Sequence, residues 1–344
     1  MRILLALSHS IEEHDQLELL SSLGYEVSSL GGYIDPAHPH DDKRPALPDV
    51  PCVEEVREAV DEAGGMQAAQ ERIPDRVLEW LGDDGAIVYH HHLHRLFSQW
   101  DRVGSWRRGG SGRRVVWRTV GQSVENNERE AAPFREDGLE VVRYSPRERA
   151  IPSYCGEDAL IRFAKDPDEW SGWVGDERHV VQVSQDARRR DPWTNYGYWA
   201  AATSGLPAQL VGSGSDAEGI GGAGVLGYDE MRRALRRARC YLYTGTQPAS
   251  YTLGFVEAAM TGVPIVSIGR KWMTIFPYGP ELFEAYELAT AGFDNPRDAR
   301  DYLHWLLEDW SAARKASEDI RARTVDLFGS ERIGAQWAAF LGAP

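Results

Sequence analysis

The segment that runs from Tyr243 through Gln247 and Glu257 to Gly262 and Ser267 holds the residue types best suited to chemistry on an anion. An apolar strand, residues 241–243, empties into a loop rich in backbone donors. A helix is expected to begin near Thr252 or Leu253 and to stop at Gly262. The first N–H groups of a helix have no acceptor within it and carry the positive end of its dipole, so such a start binds anions readily. Glu257 falls about one turn further in, where a carboxylate could accept hydrogen bonds from a pair of sugar hydroxyls. A diphosphate on the helix start with a ribose held by a carboxylate is the arrangement a nucleotide-sugar needs. An ordinary strand–helix–strand unit with a Gly262-Val263-Pro264 turn would leave much of the same pattern.

The elements that must position these residues alternate. Strands are expected at residues 3–7, 26–30, 86–89, 114–120 and 139–144 in the first half, with helices at 12–23, 53–63 and 74–80. Five prolines in residues 31–51 mark a long irregular connection. A polar stretch at 165–176 reads as a boundary. A second series then opens with a strand at 179–184, a helix at 196–204, a strand at 208–211 and a helix at 228–238, and leads to the segment above. From residue 297 onward the chain is helical, with 333–341 as its last piece. This order predicts an α/β fold with parallel sheets covered by helices on both faces. Ligands in open α/β sheets gather beyond the C-terminal ends of the strands. Polar and glycine clusters recur there: Ser8 and His9, His90 to His92, Gly121 and Gln122, Ser184 to Arg190, Gly212 to Gly214, and Gln247 to Leu253.

A length of 344 residues suits about two domains at ~150 residues each. Three scattered cysteines without metal spacing point to a reduced, cytoplasmic protein, and no run reaches the ~18 apolar residues of a membrane span. A net charge of −15 argues against a general polyanion binder. Against that background, Arg102, Arg107, Arg108, Arg113, Arg114 and Arg118 face the lone acid Asp101 in their stretch. This reads either as a patch for an anionic acceptor or as a solvated loop around the Gly109–Gly112 turn.

The run from Gln247 to Ser267 resembles the donor-binding signature of retaining GT-B glycosyltransferases of the family-4 kind. Glu257, Ala258, Met260, Gly262, Pro264 and Val266 fall in register, whereas Ala249 occupies the place of the family's first Glu. The resemblance implies two Rossmann-like domains facing each other across a cleft. An acceptor domain would span 1–170, a nucleotide-sugar domain 171–325, and a helix at 326–344 would return to the first domain. It implies a UDP- or GDP-linked hexose such as UDP-glucose as donor, an acceptor hydroxyl, and retention of anomeric configuration. No metal or other cofactor is required in such a scheme, since the departing phosphate itself takes the acceptor proton.

Residue by residue, the resemblance assigns Ser250, Tyr251, Thr252, Leu253 and Glu257 to the donor. Arg188, Arg189 and Arg190 stand where phosphate contacts are expected, and Gly212 and Gly214 form the turn near the base. His91, His92, Arg189 and Glu257 are the catalytic candidates, and Ser8, His9, His90 and Gln122 the acceptor-side candidates. Each histidine reads equally as a structural residue; Glu125 and Glu128 are further candidate bases. Three other readings remain. One is a DNA glycosyltransferase acting on a hydroxymethylated base. Another is a catalytically degenerate nucleotide-sugar-binding protein. The third is a sugar-nucleotide epimerase of similar fold.

Overall fold

Short apolar strands buried on both faces organise each half of the chain. The structure is a computed structural model and describes residues 1–6, 9–30, 44, 47, 53–90, 92–103, 112–121, 123–216, 222–342 and 344. Two compact units result: Met1–Ala164 with Ile333–Pro344, and Lys165–Arg332. The first holds β1 (Arg2–Ala6), β2 (Glu26–Ser29), β3 (Ala86–Tyr89), β4 (Arg114–Arg118), β5 (Leu139–Arg143) and β6 (Ala159–Leu160), in the order β2-β1-β3-β4-β5-β6. The second holds β7 (Glu177–Val183), β8 (Ala208–Val211), β9 (Ala238–Tyr243), β10 (Ile265–Ile268) and β11 (Ala291–Phe293), in the order β11-β10-β9-β7-β8. Every pairing among the described strands is parallel. Among the described residues no helix is long and apolar enough to cross a membrane.

A parallel sheet must be covered on both faces, and the strand sequences show it. Leu4, Ala6, Ile87, Tyr89, Val115, Trp117 and Val141 enter one core cluster of the first unit. Their neighbours Ile3, Leu5, Ala86, Val88, Val116 and Val142 enter the other, as the two-residue period of a strand requires. The helix Ser330–Leu341 contributes Ile333, Trp337 and Leu341 to this second cluster, so the end of the chain completes the first unit.

β4 and β5 stop at Arg118 and Arg143, short of the expected residues 120 and 144, and both arginines are buried. The helix Glu125–Glu136, for which the sequence offered only candidate bases, carries Glu128 to Arg143. The two form a fully buried bidentate pair at 2.6 and 2.8 Å, and Glu128 also accepts from the Cys155 N–H at 2.9 Å. Arg143 lies over the rings of Trp117 and Tyr154. Glu128 is therefore sequestered, which corrects its reading as a base. Removing one member of a buried pair strands the other charge. Glu128→Gln is expected to lower unfolding free energy by about 3–5 kcal/mol in a denaturant titration.

Candidate functional site

In both sheets the strand order reverses beside the first strand, between β1 and β3 and between β7 and β9. Loops leaving the two strands at such a point diverge and open a crevice at their C-terminal ends. In the second unit the loops that meet there follow Val183 and Tyr243. One buried network knots them together. Gln182 donates to the Thr244 hydroxyl at 2.8 Å, that hydroxyl donates to the Thr194 carbonyl at 2.7 Å, and Asn195 donates to the Thr244 carbonyl at 2.9 Å. Gln247 extends the knot: its N–H bonds the Trp193 carbonyl at 2.8 Å and its side-chain oxygen accepts from the Ile275 N–H at 3.0 Å.

The helix beyond this loop spans Leu253–Thr261. Thr252 caps it, accepting from the Phe255 N–H, and Gly262 closes it in the left-handed conformation at φ 93°. Arg321 then binds the Met260 carbonyl at its far end, along with the carbonyls of Trp170 and Pro167. Ser250 and Tyr251 are buried; the Ser250 carbonyl accepts from the Ala285 N–H at 3.0 Å, and the Tyr251 ring meets Phe328 edge-on. Leu253 and Gly254 are only half-buried, and their N–H groups have no acceptor among the described residues. A rigid helix thus presents unsatisfied donors at the end of β7, where Val183 packs against Gly254.

Glu257 lies one turn in, and the structure gives it a partner the sequence did not suggest. Lys165 Nζ donates to its Oε1 at 2.9 Å, with the two side chains 1% and 7% exposed. Lys165 is itself held by backbone bonds, its N–H to the Phe328 carbonyl at 2.9 Å and its carbonyl from the Ser330 N–H at 3.0 Å. The only sequence signal for this residue was its place at the start of the polar stretch.

The three arginines after β7 are all exposed. Arg189 pairs with Asp186 at 2.8 Å, Arg190 reaches back to the Gln185 carbonyl, and Arg188 makes no ion pair with any described residue. Gly212 and Gly214 form the turn after β8, at φ 130° and 71°. A Cβ on Gly212 would stand 2.4 Å from the Ser184 carbonyl oxygen, and one on Gly214 would stand 2.9 Å from Asp186 Oδ1. Glycine is thus required where this turn crosses the β7 loop.

In the first unit, His9 precedes the helix Ser10–Ser22 and is exposed, while His90 follows β3 and is buried. Gln16 donates to Glu12 Oε1 at 3.0 Å and turns its oxygen to His90 Nε2 at 3.1 Å. An amide oxygen only accepts, so the His90 proton sits on Nε2. His92 adopts the left-handed conformation, exposed and edge-on to His94; partial desolvation, then the charges of Arg95 and His94, hold its pKa below the usual histidine value. Ser8, His91 and Gln122 lie outside the described residues, as do Arg107 and Arg108.

The arginine patch needs correction for the residues described. Arg102 binds Asp75 and the Ile73 carbonyl, and Arg113 the Gly82 carbonyl. Arg114 forms a two-armed pair with Glu140 and also bonds the Phe340 carbonyl. Arg118 is fully buried against Glu12 and the carbonyls of Ile161 and Arg162. Arg114 opens β4 beside Gly85, at the edge opposite the strand C-termini. These side chains serve the fold, and the nucleic-acid reading loses its footing there.

No protein-family model matches the chain, and no curated protein matches it in sequence. Solved structures do match. HepE from Anabaena, in complex with UDP-glucose, superposes with a TM-score of 0.63 at 14% identity over 99% of both chains. A glycosyltransferase from Rickettsia africae gives 0.65 at 11% identity, covering 99% of this chain and 97% of its own. TarM gives 0.53 at 14% identity, covering 77% of this chain and 57% of its own. The chain has the GT-B fold. Its two Rossmann-like domains are the two compact units, and the glycine turn of the second GT-B domain offers a direct check. Gly212→Ala is expected to cost about 1–3 kcal/mol from the positive φ alone. Gly254→Ala, whose Cβ meets nothing closer than 3.7 Å, should be neutral or slightly stabilising in the same denaturant titration.

Proposed function

We propose that this chain is a retaining glycosyltransferase that moves a glucose-like hexose from a UDP- or GDP-linked donor to an acceptor hydroxyl. The observation that carries the reading is the pair of unsatisfied N–H groups at Leu253 and Gly254, at the second sheet's reversal point with Glu257 one turn behind. Likeness to HepE with bound UDP-glucose, or with UDP and glucose, supports it. In this reading the helix start and the loop from Ser250 through Tyr251 and Thr252 take the diphosphate, and Glu257 takes the ribose hydroxyls. Arg188, with Arg189 and Arg190, neutralises charge as the phosphate departs. A fixed guanidinium and an oriented helix start need little reorganisation during transfer, which is how electrostatic stabilisation works. Gly212 and Gly214 let the backbone approach the nucleotide.

On the acceptor side we assign His9 and His90, with Ser8 and Gln122 from the sequence alone; His92, with His91 from the sequence alone, we assign to catalysis beside Arg189 and Glu257. The departing phosphate oxygen takes the acceptor proton, on the face it leaves, so a carboxylate pair of the glycosidase kind is unnecessary. The protein is taken to be cytoplasmic. A second reading, binding without transfer, is favoured by Ala249, whose N–H closes a turn onto the Thr246 carbonyl at 2.8 Å where a carboxylate would hold the sugar.

A thermal-shift screen with UDP-, GDP-, ADP- and dTDP-sugars tests the donor site. A ligand at 100 times its Kd should stabilise by about 2.7 kcal/mol. Glu257→Gln should remove that shift, measured against its own ligand-free baseline because Lys165 loses its counter-charge. An undiminished shift would reject the ribose contact. Slow hydrolysis of the donor without acceptor separates transferase from binder.

A further inference from the structure

Glu257 is a buried carboxylate on a rigid helix, and Lys165 is the cation placed against it. Three observations show that Lys165 is held there by construction. Its backbone is bonded to Phe328, the last residue of the helix Trp310–Phe328, and to Ser330 just beyond it. Its ammonium lies 5.6 Å from the centre of the buried Trp170 ring. The carbonyl of that tryptophan is bound by Arg321, the residue that also closes the end of Glu257's own helix. Lys165 and Glu257 are thus set by the same frame, although 92 positions separate them.

An ionised carboxylate is an acceptor only, with about four lone-pair positions on two oxygens. The Lys165 ammonium on Oε1 takes one of these positions and constrains the rotation of the group. Burial without a cation disfavours the charged form of a carboxyl, and the protonated form has less acceptor capacity for the hydroxyls of a diol. We propose that Lys165 is a positioning residue for nucleotide recognition: it holds Glu257 ionised and oriented, and so sets the selectivity for ribose over 2′-deoxyribose. This rests on the reading of Glu257 as the ribose contact. Lys165 acts through Glu257 and leaves the diphosphate on the helix start untouched.

The test is the ratio of UDP to 2′-deoxy-UDP affinity, measured by calorimetry on the full chain. Hydrogen bonds to a charged group are strong enough for the wild type to prefer UDP by about tenfold or more. In Lys165→Met that ratio should fall toward one, while affinity for 2′-deoxy-UDP stays within about threefold of wild type. A merely structural lysine would weaken both ligands together, and that result would overturn the proposal. So would a ratio unchanged from wild type. If the methionine variant does not fold, Lys165→Gln, which keeps a donor without the charge, is read in the same way. Failure of the wild type to bind UDP at all would count against the donor-site reading itself. Strong binding of UDP and 2′-deoxy-UDP with equal affinity would reject Glu257 as the ribose contact, and the proposal with it.

Discussion

A wholly parallel sheet makes all its strands end along one edge, and this constraint decides where polar chemistry can occur in the chain. Within the strands, backbone groups pair with each other and side chains pack into apolar layers on both faces. Beyond the strand ends donors and acceptors lack ladder partners. The reversal of strand order then separates two neighbouring loops and leaves room between them. His9 and His90 stand at one such place, and Ser184, Thr244 and the start of the helix Leu253–Thr261 at the other. The same logic explains why the arginines that open β4 take no part: they lie at the edge where strands begin.

Buried charge is spent on orientation in this structure. Arg143 with Glu128, Arg118 with Glu12, and Lys165 with Glu257 each place an ion pair where an apolar pair would pack at least as well. The first two join β5 to its neighbouring helix and β4 to the first helix. The third holds a carboxylate on the helix Leu253–Thr261. A charge kept in a low-dielectric setting has few permitted geometries, so each pair fixes a side chain that would otherwise choose among rotamers.

The order of strands and helices is legible in the sequence because each apolar run is short and closed by glycine, proline or a polar cluster. Thr252, Gly262 and Pro264 bound the helix Leu253–Thr261 for reasons of capping and φ that any sequence displays. Side-chain destinations were harder to read. Arg113, Arg114 and Arg118 look like a solvent-facing charge run, yet Arg118 shares a strand face with Val116, and alternation within β4 was the signal that it turns inward. Glu12 and Gln16 are buried alongside Leu17, Leu19 and Leu20 on the same helix, so burial there does not follow polarity. Lys165 carries no local sign of its partner, since nothing in a linear pattern links it to a residue in a different helix. The helix Glu125–Glu136 was obscured by Pro133 and by its dense charge.

The placement of the last helix has a consequence for how the molecule is made. Ile333, Trp337 and Leu341 belong to the same apolar layer as Leu17, Leu20 and Val88, and the Tyr25 hydroxyl reaches the Gly342 carbonyl. A ribosome delivers these residues only after the whole second domain has emerged. The first domain's apolar layer therefore stays incomplete until the second domain has been made. Until then Val88 and Val116 lack the cover that Ile333, Trp337 and Leu341 give them.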